Sequence, residues 1–169
     1  HAFAAYKKSR PLSALTSHWQ WPHFVMMSNQ LVAEKNVKKQ VVSHMVDAFA
    51  SELPQGPHVC HATLQRLEAE ISSQALTRVL GVFRNEVLKR VGIIIDARDR
   101  EDLQRLHVCV HALKSSALSF GCLPLSAACL QMEDFCNQSQ GERAFGACDA
   151  LLCLIDATLV ALDEFEHHR

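Results

Sequence analysis

Apolar residues recur at three- and four-residue spacing through almost all of this 169-residue chain, and apolar/polar alternation is nearly absent. A period near 3.6 lines side chains along one stripe of a helix, whereas a strand needs a period of two. Five prolines and six glycines are too few to cut the pattern into short pieces. The expectation is an all-α protein.

The densest break is "LPQGPH", Leu53 to His58, where two prolines around a glycine forbid a continuous helix. Upstream, Val37, Val41, Met45, Phe49 and Leu53 keep a helical period, predicting one amphipathic helix over about 28–52 with a lysine-rich outer face. Earlier still, no clean period is visible, and "HWQWPHF", with Trp19 and Trp21, reads as irregular. Downstream, the spacing predicts a short helix near 59–70 and longer ones near 73–95, 101–119 and 124–138. A fifth helix lies in "GERAFGACDALLCLIDATLVALDEF". Gly81 and Gly92 weaken the second of these by about 1 kcal/mol each relative to alanine. Four long helices on short connections imply an antiparallel four-helix bundle over 56–169, with the short helix added and an N-terminal helical extension over 1–55.

Seventeen basic and eighteen acidic residues are interspersed, for a net charge of −1, so no basic footprint for nucleic acid exists. The longest apolar run, "ALLCLIDATLVAL", carries Asp156 and is short for a bilayer span, and no signal-peptide pattern opens the chain. A soluble, cytoplasmic protein without membrane insertion is expected. Seven cysteines without a C-x-x-C pair argue against a disulfide framework or structural zinc. Cys122, Cys129 and Cys136, seven apart, read as small hydrophobes at helix contacts.

Against this background "HALKSSALSFG", His111 to Gly121, is unusual. At 100° per residue, Leu106, Cys109, Val110, Leu113, Ala117 and Phe120 share one broad sector, the core side. His111 falls nearly opposite, flanked by Lys114 and Ser115, with Leu118 two turns above and His107 one turn below. Imidazole is a competent nucleophile near neutral pH, a lysine one turn away offsets the charge of an arriving phosphoryl group, and small serines let a bulky donor approach. No G-x-x-x-x-G-K-[ST] or other glycine cluster offers a nucleotide site, so an autonomous kinase is not expected. His107 and His111, one turn apart, and His58 with His61 are the nearest to metal pairs. Cys109 faces the core, no third ligand is indicated, and no metal site is expected.

"HALKSSA" resembles the H-x-L-K-[GS]-[SA]-[AS] signature of the histidine-containing phosphotransfer (Hpt) family. "LSAACLQME", Leu125 to Glu133, resembles that family's following helix, with Leu125, Cys129, Met132 and Glu133 in the expected positions. The eleven residues from His111 look most like the small Hpt proteins of bacterial quorum-sensing phosphorelays, and the likeness covers about 59–166. The resemblance implies a four-helix bundle in which His111 accepts phosphate from a receiver-domain aspartate and passes it to another receiver. Lys114 would be the phosphate-side cation and Ser115 the small residue permitting approach. Leu118, His107 and Gln104 would meet the partner. It implies no cofactor of the chain's own, any Mg²⁺ arriving with the receiver. The competing expectation is a helical adaptor without chemistry. Residues 1–55 match nothing in the family pattern.

Overall fold

The computed structural model describes residues 56–168, so the expected extension, its 28–52 helix and both tryptophans lie outside the described residues. The described residues form five helices and no strand: α1 (His61–Ile71), α2 (Ser73–Asp99), α3 (Leu103–Ser119), α4 (Leu123–Asn137) and α5 (Gly141–His167). α2 packs on α3, α3 on α4, α4 on α5, and α5 back on α2, closing a four-membered ring, with α1 laid against α2.

Cross-helix contacts fix the antiparallel register. Between α2 and α3, Phe83 meets Phe120 at 4.6 Å, the Cys109 thiol reaches the Arg90 carbonyl, and Asp96 pairs with Arg105 at 2.9 Å. Between α2 and α5, Arg84 pairs with Asp163 at 2.9 Å and with Glu166, and Arg98 with Asp149. In each set, rising numbers on one helix meet falling numbers on the other.

The three turns of the ring are built alike. Asp102, Cys122 and Gln140 each donate a backbone N–H to the carbonyl five residues back, on Ala97, Ala117 and Phe135 at 2.8, 2.9 and 2.9 Å. That closure needs a left-handed residue just before the donor. Glu101 (φ 53°), Gly121 (φ 70°) and Ser139 (φ 55°) supply it. Helix three was expected to start near Glu101. It starts at Leu103 because Glu101 is left-handed and Asp102 caps the helix, accepting from the Arg105 N–H at 2.9 Å. α2 runs past its expected end near 95 to Asp99, burying Ile94 and Ala97.

Leu76, Leu80, Ile94, Leu106, Leu113, Leu125, Met132, Leu151, Ile155 and Leu162 fill the interior. Of the expected α3 core face, Leu106, Cys109, Val110, Leu113 and Ala117 are buried, but Phe120 at the C-cap is only half-buried. Cys122, Cys129 and Cys136 are buried, and burial pushes all three thiols up, Cys122 to about 12 and Cys136 to about 11. Cys60 at the start of α1 moves the other way, its thiol drawn down first by a hydrogen bond with Thr63. The apolar run near the C-terminus belongs to a helix of 27 residues, longer than the run itself suggests. By length and composition α5 is long enough to cross a membrane, and its inner face, with Cys148, Leu151 and Ile155, lines the bundle core.

Candidate functional site

α3 and α4 are the most closely associated pair of helices, and small residues on both allow it: Ala117 faces inward on α3, and Ser126, Ala128 and Cys129 on α4. Ser126 donates its hydroxyl to the Lys114 carbonyl at 3.1 Å, pinning α4 to the turn of α3 that carries the lysine. Two turns further along α4, this register puts Glu133 beside His111 and Lys114.

Glu133 is buried, at 8% exposure, on a helix face otherwise formed by Cys129, Met132 and Cys136. A carboxylate in such a position needs partners. His111 Nδ1 lies 2.6 Å from Glu133 Oε1, and the Lys114 ammonium donates to Oε2. The lysine hydrogen bond, then that of His111, holds the Glu133 carboxyl below the ordinary glutamate value of 4.5, so it is an anion at neutral pH. An anion only accepts, so Nδ1 carries a proton, and in the neutral ring the lone pair is then on Nε2. The His111 side chain is 60% exposed, and among the described residues none bonds to Nε2. The site is an exposed imidazole nitrogen in its nucleophilic tautomer, oriented from behind by a buried carboxylate, with an ammonium one turn away.

Of the other expected site residues, Ser115, Leu118 and Gln104 lie on the outward face, as the helical wheel places them. Ser115 is exposed, and Leu118 is 57% exposed two turns above His111. Gln104 is exposed two turns below. Val108, one turn below His111, is exposed as well and was not anticipated. His107 is half-buried rather than outward-facing, its Nε2 lying 4.0 Å from Glu133 Oε1. Cys109 faces the core as expected, and His107 and His111 point to a shared carboxylate.

Two residues escaped the sequence reading as site members, Glu133 and Ser126. Glu133 had a signal: a lone carboxylate on the inward stripe of a helix, which demands a partner from a neighbouring element. Ser126 had none, because a serine near a helix start reads equally well as a solvated residue.

The family model of the Hpt domain matches residues 78–164, half of the chain, and the chain belongs to that family. Its function class is therefore histidine phosphotransfer in two-component signalling, with receiver domains as the partner class. Among solved structures, histidine-containing phosphotransfer protein B (HptB) from Pseudomonas aeruginosa PAO1 has a similar fold, with a TM-score of 0.61 at 19% identity. The match covers 68% of this chain and 100% of that one. No curated protein matches the chain.

Proposed function

We propose that His111 is the phosphoacceptor of a cytoplasmic phosphorelay, taking a phosphoryl group from the aspartyl phosphate of one receiver domain and giving it to the aspartate of another. The observation that carries this reading is the pairing of an exposed His111 ring with a buried Glu133 that fixes its tautomer. In the forward step the Nε2 lone pair attacks phosphorus, an N–P bond forms, and the acyl-phosphate P–O bond breaks. Its electron pair leaves on the receiver's carboxylate. The Nδ1 proton stays in place, and Glu133 balances the positive charge the ring acquires. Lys114 turns toward the phosphoryl oxygens. Mg²⁺, where needed, sits on the receiver's own carboxylates, and this chain supplies no cofactor.

Ser115 keeps the surface beside the ring low, while Leu118, Val108 and Gln104 extend the outward face of α3 on either side. That strip suits a receiver helix packing across it in a modest, transient interface. The test is incubation with a phosphorylated receiver, followed by assay for an acid-labile, base-stable phosphate. Labelling that vanishes in His111→Gln with helix content unchanged supports the reading. Undiminished labelling of that variant refutes it.

A further inference from the structure

Glu133 has two oxygens and three basic neighbours. His111 occupies Oε1 at 2.6 Å and Lys114 occupies Oε2, while His107 Nε2 stands 4.0 Å from Oε1. That nitrogen is buried and has no hydrogen-bond partner. Leaving a buried polar atom unpaired is costly, so its position calls for a state in which it is paired.

Phosphorylation creates such a state. A phosphoryl group on Nε2 brings close to two negative charges to the mouth of the site. Lys114, one helical turn from His111, is the cation able to answer them, and it does so by leaving Oε2. Glu133 then keeps only His111, although it remains buried under the helix pair. The ring of His107 is already aimed at the carboxylate and needs to close by about 1 Å to reach hydrogen-bond distance. It faces the same oxygen that binds Nδ1 of His111, so it approaches on the Nδ1 side of that ring, away from the phosphoryl group on Nε2.

We infer that His107 is a positioning residue that takes the place of Lys114 on Glu133 when His111 is phosphorylated. The inference rests on His111 being the phosphoacceptor. His107 never touches the phosphoryl group. It frees the lysine to do so by keeping the carboxylate satisfied, and thereby keeps Nδ1 of the modified ring in place.

The experiment uses the full chain with ¹⁵N-labelled histidine, following the His107 titration by NMR in the parent, Lys114→Ala, Glu133→Gln and the double variant. Lys114→Ala imitates the lysine's departure. With Glu133 intact, that substitution should raise the His107 proton affinity by about threefold or more; in the presence of Glu133→Gln the rise should shrink below about twofold. Treatment of the parent with phosphoramidate should reproduce the Lys114→Ala shift. Equal rises in both backgrounds would show a through-space charge effect and overturn the exchange, as would no rise at all. Failure of phosphoramidate to label the protein overturns the phosphoacceptor reading, and the variant cycle still decides whether His107 and Lys114 compete for Glu133. Should Glu133→Gln unfold the protein, His107→Phe, which keeps the ring volume, replaces it. That variant should still be labelled but lose phosphate about two- to fivefold faster, and an unchanged lifetime overturns the proposal.

Discussion

Removing the Glu133 carboxylate sets two effects against each other, and their magnitudes give the sign. In Glu133→Ala the His111 ring loses a charge-assisted hydrogen bond at 2.6 Å, together with the tautomer and orientation that the bond imposes. Such bonds are worth about 1.5–3 kcal/mol when well shielded. Here the ring is 60% exposed, so water replaces part of the loss, and about 1–2 kcal/mol is the appropriate range. In the other direction, the substitution frees the Lys114 ammonium to meet phosphate. An exposed pair contributes about 0–1 kcal/mol, and the lysine already reaches the phosphoryl group in the parent, so the gain lies at the low end. The net is about 1 kcal/mol against phosphorylation, or about a fivefold fall in rate. Glu133→Gln keeps an acceptor for the Nδ1 proton and should fall less. The assay is the rate of phosphohistidine formation from phosphoramidate, which needs no receiver and so removes docking from the measurement. An unchanged or faster rate in Glu133→Ala would refute the reasoning, showing that the carboxylate serves to hold the lysine back.

Lys114→Ala should slow labelling by about three- to tenfold without abolishing it, measured with the same donor. Leu118→Arg should slow transfer from a phosphorylated receiver far more than labelling by phosphoramidate, with little change in melting temperature; a large drop in that temperature would put Leu118 in the core. Gly121→Ala should destabilise by about 2–4 kcal/mol, because the residue is left-handed and an added Cβ meets the Thr63 Cβ at 2.9 Å and the Cys60 Cβ at 3.2 Å. The same change at Gly81, where an added Cβ meets nothing within 4 Å, should stabilise by about 0.5–1 kcal/mol, so opposite shifts in thermal melts check both. Because the folded protein holds Glu133 below its ordinary value of 4.5, the stability this group contributes is present above that pH and is lost as pH falls through the lower folded value. Melting temperature should therefore decline with acid more steeply in the parent than in Glu133→Ala.

The helices were legible because burial imposes their period: the α3 stripe of Leu106, Val110, Leu113 and Ala117 is the inner face of the helix. The same periodicity set His111, Ser115 and Leu118 outside. The turns were legible only in part. Gly121 announces a left-handed residue, whereas Glu101 and Ser139 adopt the same conformation without any side-chain preference for it, within turns closed by backbone bonds from Asp102 to Ala97 and from Gln140 to Phe135. His107 was misplaced for a related reason. A wheel gives the angle of a residue about its own helix but not the position of the neighbour, and α4 approaches on the side where His107 lies, covering it. Glu133 was recognisable as part of a motif, yet its bond to His111 depends on a register between helices that no local pattern encodes.

The central claim concerns one nitrogen atom. Glu133 holds the proton on Nδ1 of His111, so the phosphoryl group must attach to Nε2. ³¹P–¹⁵N correlation on the phosphorylated, histidine-labelled chain reads the attachment directly. The account predicts phosphorus coupled to Nε2 of His111, with Nδ1 still protonated. Phosphorus on Nδ1, or on any other residue, would contradict it.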